Sequence, residues 1–288
     1  MPRARRYRSR VSVLPLDAPT LRFLERHETL AHATTGREVV ELPDAIALFD
    51  PADPEPFWNR VASLRFPSDP DAFDRRLTEL FALFAVRRRT PHVWPSPAWN
   101  QPVDLIARLV ANGFRDTGGG WVMVLTDPSL SPPVAPDEPS PEVTLEQLTP
   151  GNAPIDSIRD AATVLAESFA SEPWRSDDIA ADLAVALRDP DVAVALARVD
   201  GEPAAMAKAT KFDRASYLAS IGTRPRFRGR GLGALVTRMA TIHGLRQGAR
   251  WVYLGVFTEN ESAVRLYRRL GFQPIGDPAP DLLLTPGE

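Results

Sequence analysis

The second half of the chain alternates short apolar runs with longer segments whose apolar residues recur at helical spacing. Such runs predict strands, and such segments predict amphipathic helices. The predicted strands are 143–148, 192–199, 203–210, 217–223, 250–257, 272–276 and 281–284, and the predicted helices are 155–169, 177–187, 232–246 and 261–270. Ser176 or Asp177 is the expected N-cap of the second helix. This order predicts a mixed α/β sheet flanked by helices.

The first half carries the same order of elements at a constant offset. Sliding it by 158 positions places NRVASLRFP, which ends at Pro67, over YLASIGTRP, which ends at Pro225. The same offset places Gly113-Phe114 on Gly271-Phe272, and no gap is needed between about 45 and 114. The two halves are therefore predicted to share one architecture.

A proline-rich segment separates the halves. Residues 126–143 contain six prolines and few bulky apolar side chains, a composition that prevents helix formation and favours an extended spacer. We predict a first domain at 1–130, a linker at 131–141 and a second domain at 142–288.

The composition is typical of a globular protein. Apolar residues make up 44% of the chain, and no apolar run reaches the ~20 residues that a membrane span requires. With no cysteine, and four histidines that lack metal-ligand spacing, no metal is expected. The first ten residues hold five arginines but no apolar core of a secretory signal, so a cytoplasmic location is expected. The net charge of −3 argues against a nucleic-acid partner, and no membrane partner is expected; a homodimer stays open.

The stretch RFRGRGLG, residues 226–233, holds three arginines and three glycines between a predicted strand and a predicted helix. The first N–H groups of a helix have no internal partner and lie at the positive end of its dipole. Glycine allows a phosphate to approach the backbone closely, and arginine adds charge-assisted donors. The stretch therefore predicts a pyrophosphate site.

The first half contains a natural control for this interpretation. At the matching positions, 68–75, it reads SDPDAFDR, in which three aspartates and a proline replace the cations and glycines. Such a loop repels phosphate. If the two halves share a fold, the glycines are not needed for the fold itself, which favours the anion-binding interpretation over a simple chain reversal.

Two motifs resemble those of the GNAT family of N-acetyltransferases. Residues 228–233, RGRGLG, are similar to the Arg/Gln-x-x-Gly-x-Gly/Ala signature of that family. ENESAVRLYRRLGF, residues 259–272, resembles the family's later Asn-x-x-Ala-x-x-x-Tyr-x-x-x-Gly-Phe segment. The resemblance covers about 142–284 and implies a tandem protein: two GNAT-like lobes, each a mixed, mostly antiparallel sheet flanked by helices, of which the first is degenerate and lacks the phosphate loop.

The resemblance implies an acetyl-CoA site. It places the pyrophosphate on backbone amides of the loop, the pantetheine arm along the end of a strand that splays from its neighbour, and two side chains of the later motif near the arm and the thioester. The cofactor-binding residues it implies are Ile221, Gly222, Thr223, Arg228, Gly229, Arg230, Gly231, Leu232, Gly233, Ala234, Asn260 and Tyr267.

Direct acetyl transfer requires a neutral amine, a donor for the oxyanion and an acid for the departing thiolate. Tyr267 suits the role of acid, because a phenol is protonated at neutral pH; the alternative is a core aromatic. The N–H near Ile221 or Gly222 is the candidate oxyanion donor. Asn260 and Tyr267 are two helical turns apart and face the same way, although Asn260 is also a plausible plain N-cap.

The general base and the acceptor site are less defined. Many family members place a glutamate in the strand equivalent to 217–223, which has no carboxylate here. Glu172, Glu259 and a relay through water are the alternatives for the base. Acceptor binding is expected to involve Glu172, Trp174 and Tyr217, although Trp174 is equally suited to a packing role.

The function predicted from these features is acetyl-CoA-dependent N-acetyl transfer to a primary amine of a small molecule or peptide by direct attack. The first lobe is expected to support the second and to wall its acceptor cleft. A cysteine-less amino sugar, the acceptor of the tandem mycothiol synthase, is one specific option. A non-catalytic CoA-sensing or interaction module is the main alternative, and aminoacyl transfer from tRNA is disfavoured by the acidic charge balance.

Overall fold

The computed structural model describes residues 16–127, 143–171 and 175–285 of the chain. The basic N-terminal arm and the predicted linker at 131–141 lie outside these residues. The first half contains three helices and six strands in the order α1 (Ala18–Ala33), β1 (Glu38–Leu42), β2 (Ala45–Phe49), β3 (Arg60–Ala62), α2 (Pro70–Ala85), β4 (His92–Trp94), α3 (Leu105–Ala111), β5 (Phe114–Asp116) and β6 (Gly120–Leu125) within the described ranges.

The second half contains further helices and strands that extend the same numbering. They are β7 (Val143–Leu148), α4 (Ile155–Ser168), α5 (Arg175–Ala186), β8 (Val192–Val199), β9 (Glu202–Phe212), β10 (Ala215–Thr223), α6 (Leu232–Arg246), β11 (Trp251–Phe257), α7 (Glu261–Arg269), β12 (Phe272–Ala279) and β13 (Leu282–Leu284). The order predicted from the sequence is confirmed. One detail differs: α5 is described from Arg175, so Ser176 and Asp177 lie inside its first turn, where an acidic side chain favours the helix dipole.

Two mixed, mostly antiparallel sheets form the protein, which confirms the predicted fold class. The first sheet has the strand order β1-β2-β3-β4-β13-β5, and the second has the order β12-β6-β11-β10-β9-β8-β7. Each sheet contains a single parallel pair among its described strands, β3 with β4 and β10 with β11. We refer to the parts of the chain that build these sheets as the first lobe and the second lobe.

The two halves of the chain exchange one strand each. β6 follows β5 in the chain but lies between β11 and β12 of the second sheet, whereas β13 lies between β4 and β5 of the first sheet. The two crossing segments touch, because a Cβ on Gly119 would lie 2.5 Å from the carbonyl oxygen of Ala279. The predicted boundaries at 130 and 142 put β6 in the first domain and β13 in the second, whereas each of these strands pairs in the sheet of the other half. Strand partners are chosen by long-range pairing, which a local pattern does not contain.

The internal repeat is visible in the backbone. Phe114 begins β5 and Phe272 begins β12, and the glycine before each has the same φ of +91°. Left-handed backbone also occurs at Ser63, just after β3, and at Ser220, within β10, with φ values of +56° and +52°. Before its first hairpin the second lobe has a strand, β7, and two helices, α4 and α5, whereas the first lobe has one helix, α1.

Close packing sets the position of α6 on the second sheet. The helix lies on an alanine-rich face of β9 that buries Ala205, Ala207 and Ala209. Gly244 of α6 approaches β10 so closely that a Cβ would lie 2.6 Å from the Ser216 side chain. These small residues allow the helix to rest near the sheet. The N-terminus of α6 is thereby held beside the end of β10.

Candidate active site

The site is built where β10 and β11 separate. Their parallel pairing runs from Ala215 to Leu218 on β10 and from Trp251 to Leu254 on β11, and it is not continued in the described structure. Past this point the two strand ends form the walls of a cleft. Strands that separate within a sheet leave backbone N–H and C=O groups available to an extended ligand.

A bulge in β10 lies beside this separation. The pairing of β10 with β9 passes from Ala219–Lys208 to Gly222–Met206, so Ser220 and Ile221 oppose a single residue of β9. The left-handed φ of Ser220 belongs to this bulge. A bulge disrupts the ladder locally and turns backbone groups out of it, and Ser220 and Ile221 both line the cleft.

The cleft continues into a cavity of about 1350 Å³ between the lobes. The second lobe contributes the ends of β10 and β11, parts of α5, and Asn260 and Tyr267 at α7. The first lobe contributes one face of α1 and the loop between β2 and β3. The first lobe thus walls the cleft, as the sequence analysis expects.

The glycine-rich loop lies at the N-terminus of α6. Gly229 and Gly231 have φ values of +79° and +76°, a backbone conformation that side-chain-bearing residues rarely adopt. A Cβ at either position would meet nothing within 4 Å, so the glycines leave open space on this side of the loop. Gly231 is the N-cap, and no side-chain oxygen of the described residues caps α6. The first N–H groups of the helix are therefore available to an anion.

Two other glycines of the site allow close packing. A Cβ on Gly222 would lie 2.7 Å from Ser168 Oγ at the end of α4, and a Cβ on Gly233 would lie 3.2 Å from Thr223 Oγ1. Gly222 brings β10 against α4, and Gly233 brings the first turn of α6 against the end of β10. The strand end and the helix N-terminus consequently lie side by side.

Hydrogen bonds within the loop narrow the set of amides predicted to hold a pyrophosphate. The N–H of Arg228 donates to Pro225 O at 3.3 Å, and the N–H of Ala234 donates to Gly231 O at 3.0 Å. Both ends of the predicted run 228–234 therefore have internal acceptors. The amides of Gly229 to Gly233, which include Leu232, are left as the central candidates.

The arginine side chains of the loop are largely engaged by the protein. Arg228 donates from Nε to Thr223 O and from Nη2 to Ser168 O, at 3.1 and 3.0 Å, and so ties the loop to β10 and α4. Arg226 forms an ion pair with Glu202 at 2.5 Å. The guanidinium of Arg230 lies 5.9 Å from the Phe227 ring. Arg228 and Arg226 thus shape and orient the loop, and its backbone is the better candidate for the anion contacts.

Residues 157–272 match the model of the acetyltransferase (GNAT) family. The match begins in α4 and ends at the first residue of β12, and it includes the separated strands, the glycine loop and α7. The second lobe belongs to the GNAT family. We call it the GNAT lobe from here on.

Similar proteins support this assignment at two levels. A stretch of 52 residues is 44% identical to a mycothiol acetyltransferase of Nocardiopsis dassonvillei, and it covers 18% of this chain and 16% of that relative. The chain thus matches only a small part of the curated relatives.

Solved structures share the fold of nearly the whole chain. A GCN5-related N-acetyltransferase from Kribbella flavida is 22% identical, with 93% of this chain and 96% of that chain covered at a TM-score of 0.68. A tandem GNAT protein from the clavulanic acid biosynthesis pathway is 16% identical, with 87% and 83% covered at a TM-score of 0.60. At these identities the likeness concerns the fold, which is that of a two-lobed GNAT protein.

Tyr267 of the GNAT lobe is buried in the core and also reaches the cavity. It is only 6% exposed, its ring centroid lies 6.2 Å from that of Phe272, and it also lines the cavity. Burial raises the pKa of Tyr267 above its ordinary value of 10, so the phenol stays protonated at neutral pH. The side chain is therefore a core aromatic that presents a proton donor to the cleft.

Asn260 is the N-cap of α7. Its Oδ1 accepts hydrogen bonds from Ala263 N at 3.2 Å and from Ser262 Oγ at 3.0 Å. The residue is also part of the cavity lining. The capping role expected as an alternative is confirmed, and the capping bonds leave the side-chain NH₂ group as the donor that can face a ligand.

Tyr217 lies on the opposite side of the cleft, at the interface with the first lobe. Its ring centroid is 5.0 Å from that of Tyr253 and 5.3 Å from that of His32. A Cβ on Gly255 would lie 3.5 Å from the Tyr217 hydroxyl, which places that hydroxyl where β10 and β11 separate. Burial raises the pKa of Tyr217 as well.

The other acceptor-site residues predicted from the sequence, and the candidate bases, stay predictions. Glu172 and Trp174 lie outside the described residues. Glu259 is exposed and is not part of the cavity lining. Glu259 precedes Asn260, the N-cap of α7, in the chain, but its side chain faces solvent.

A buried cluster in the first lobe was not predicted from the sequence. Glu28 Oε1 lies 2.7 Å from Arg60 Nη2 and 2.9 Å from His32 Nε2. Glu28 and His32 line the cavity beside Tyr217. Burial raises the pKa of Glu28, but the charge of Arg60 and the hydrogen bonds from Arg60 and His32 outweigh it and the net shift is downward. Burial lowers the pKa of His32 to about 4, so the ring is neutral at pH 7.

Ion pairs join the two lobes around the same cavity. Arg37 donates to Asp50 at 2.8 Å within the first lobe and reaches Asp182 of α5 at 3.2 Å. Arg175 of α5 lies 3.4 Å from Asp53. Arg37 also stacks on Trp58, with its guanidinium carbon 3.7 Å from the ring centroid. These contacts hold the first lobe against α5.

Two further features of the described residues bear on other functions. No helix among them is long and apolar enough to cross a membrane. No group of three or more His, Cys, Asp or Glu side chains in the described ranges is arranged to hold a metal ion.

Proposed function

We propose that the protein is an acetyl-CoA-dependent N-acetyltransferase that acetylates a primary amine by direct attack. The observation that carries this proposal is the glycine-lined N-terminus of α6, uncapped by described side chains, beside the open ends of β10 and β11. Positive φ at Gly229 and Gly231 and the open space next to them fit a pyrophosphate. The separated strand ends fit an extended pantetheine arm.

The residues that would hold CoA come from the loop before α6, the end of β10 and the start of α7. The amides of Gly229 to Gly233 would bind the pyrophosphate, Ile221 to Thr223 would pair with the arm, and the Asn260 amide would contact it from α7. Arg228 orients the loop through its bonds to Thr223 and Ser168. Bound acetyl-CoA supplies an acetyl group activated as a thioester.

The reacting groups would meet between Tyr217, Tyr267 and the β10 bulge. The N–H of Ile221 or Gly222 would donate to the carbonyl oxygen as it gains negative charge. Tyr267 would give its phenolic proton to the departing sulfur, and its raised pKa keeps that proton in place beforehand. Water would relay the amine proton, because β10 carries no carboxylate and Glu259 is exposed and outside the cavity lining.

The test is incubation with acetyl-CoA and a panel of amines while free thiol is followed. The panel should contain simple amines, amino acids, amino sugars and peptide N-termini; the amino sugar arm also addresses the mycothiol acetyltransferase relatives. We expect thiol release that depends on one class of amine. Binding of CoA without thiol release across the panel would replace the enzyme by a CoA-binding module. Absence of CoA binding in folded protein would overturn both.

A further inference from the structure

Each lobe has its own cleft at its parallel strand pair, and both clefts open into one cavity. In the first lobe β3 and β4 pair at Val61–Val93 and Ala62–Trp94. The chain then turns away at Ser63, where φ is +56°. Ala62 and Trp94 line the same cavity as the strand ends of the GNAT lobe. The first lobe therefore holds a counterpart of the proposed pantetheine cleft.

The first-lobe cleft is not suited to a second CoA. The N-terminus of α2, the counterpart of α6, is capped by Asp69, whose carboxylate accepts from Ala72 N at 2.9 Å. A carboxylate at this place occupies the amides that a phosphate would use and repels its charge. A different ligand chemistry is needed for this half of the cavity.

Glu25 of α1 supplies a carboxylate to that half. It lines the cavity, and its Oε1 atom is buried without a hydrogen-bond partner among the described residues. Burial raises the pKa of Glu25 and outweighs the opposing effects, which are hydrogen bonds from Ser96 and Ser63 to the carboxylate and the charges of Arg22 and Arg65. A buried carboxylate oxygen that lacks a partner is costly unless a ligand satisfies it.

The charge of the cavity favours a cation. Its described lining contains eight carboxylate side chains but only two arginines. Those arginines, Arg37 and Arg175, already contact Asp50, Asp182 and Asp53 at one end of the cavity. At the Glu25 end, Leu21, one helical turn earlier, and Leu24, the preceding residue, add an apolar surface.

We propose that the acceptor is a diamine whose second, non-reacting ammonium group binds Glu25 in the first-lobe cleft. The inference rests on the proposed acetyl transfer and specifies its substrate class. One amine would lie beside Tyr217 and Tyr267, while the methylene chain would run along α1. Glu25 precedes Glu28 by one helical turn and His32 by two, and the His32 ring is 5.3 Å from that of Tyr217. At 1.5 Å per residue the two amines would be roughly 5 to 10 Å apart, the span of about four to six methylene groups.

The experiment compares 1,5-diaminopentane with 1-aminopentane as acceptors. For the unmodified protein we expect kcat/KM to be about tenfold or more higher for the diamine. In Glu25→Gln the two values should become similar, with kcat/KM for 1-aminopentane unchanged. In Glu25→Asp the carboxylate is withdrawn by one methylene, so the best acceptor should shift to 1,6-diaminohexane. Asp178→Asn, which removes an exposed carboxylate from the same cavity, should keep the preference for the diamine.

Equal kcat/KM values for the two amines in the unmodified protein would overturn the proposal, and so would a preference that persists in folded Glu25→Gln. Calorimetric titration of 1,5-diaminopentane into the protein with CoA present needs no turnover. Diamine binding that Glu25→Gln weakens about tenfold, without acetyl transfer, would retain the Glu25 site and reject the enzyme. Acetyl transfer without diamine binding would retain the enzyme and reject the Glu25 site. If Glu25→Gln does not fold, Glu25→Asp and the unmodified protein decide the question.

Discussion

The two lobes have a helix N-terminus at the same point of the same fold, but a side chain caps it in the first lobe and no described side chain caps it in the GNAT lobe. In the first lobe, Asp69 precedes α2 and its side chain binds Ala72 N. In the GNAT lobe, Gly231 precedes α6 with left-handed backbone, and no described side chain caps the helix. A carboxylate satisfies the first helix from within, whereas the second is left for an external anion.

The comparison also separates what the fold needs from what the ligand needs. Both helices pack beside a parallel strand pair, and a left-handed serine lies near each of the strands before them, Ser63 just after β3 and Ser220 within β10. The glycine loop is found in one lobe only. Since α2 forms without it, the loop is not required to start a helix here, which supports the proposal that its conformation serves anion binding.

The largest effect is expected from capping the N-terminus of α6 with a carboxylate, as Asp69 caps α2 in the first lobe. Gly231→Asp places a carboxylate at the N-cap of α6, and we expect CoA affinity to fall by about a thousandfold or beyond detection in calorimetric titration. The control is Gly248→Asp, at the other end of the same helix, which has similar φ and open surroundings. It carries the same strain and charge, so retained CoA binding there and loss at 231 would establish the anion site. Equal losses would reject it.

The next effect concerns Tyr267, for which the first lobe has an apolar counterpart, Leu109, at the 158-residue offset. Tyr267→Phe keeps the aromatic packing against Phe272 but removes the proton donor. We expect kcat to fall about a hundredfold while CoA affinity changes less than threefold. Steady-state kinetics and calorimetry measure the two quantities. Unchanged kcat would show that Tyr267 is a packing residue only.

Local chemistry could be predicted from the sequence because it depends on neighbours in the chain. The glycine loop, the Asn260 cap and the two-turn spacing to Tyr267 are all short-range patterns, and the structure shows each element where the pattern placed it. The Gly-Phe pair that ends α3 and α7 likewise revealed the repeat.

Long-range contacts could not be predicted in this way. Nothing in DLLL indicates that β13 pairs with β4 and β5 of the other lobe. The motif predicts Arg228 to be a phosphate donor, but its guanidinium donates to the backbone carbonyls of Thr223 and Ser168. Ser168 is distant in sequence, and folding brings its carbonyl within reach. Glu25, Glu28 and His32 share one face of α1 with Leu21 and Leu24. Polar residues on an otherwise apolar helix face were the available signal for the missed cluster.

The lobes should also differ in their response to acid. Burial lowers the pKa of both His27 and His32, in α1 of the first lobe, to about 4. The unfolded chain binds a proton at each near pH 6.5 while the folded protein does not, so stability is lost as the pH falls from about 6.5 towards 4. Between pH 7.5 and 5 each histidine should remove about 2 kcal/mol from the free energy of unfolding. Urea denaturation at the two pH values measures this loss.

His32→Gln separates the two contributions. It should roughly halve the loss of stability between pH 7.5 and 5, because the glutamine amide does not titrate. His243→Gln, at the half-buried histidine of α6, should change the loss less. A pH dependence that is the same in His32→Gln as in the unmodified protein would contradict the assignment to α1.

The smallest effect tests the first lobe's side of the comparison. Asp69→Ala removes the N-cap of α2 and should lower the free energy of unfolding by about 1 kcal/mol, since Ala72 N loses its acceptor. Asp74→Ala, one turn further into the same helix and exposed, removes the same charge without a cap and should cost less than half as much. CoA affinity should be unchanged in both variants, because the bare N-terminus of α2 still lacks the glycine backbone of the α6 loop. New CoA binding in Asp69→Ala, measured with Gly231→Asp in the same chain, would mean that a free helix N-terminus alone suffices and that the loop's glycines have another purpose.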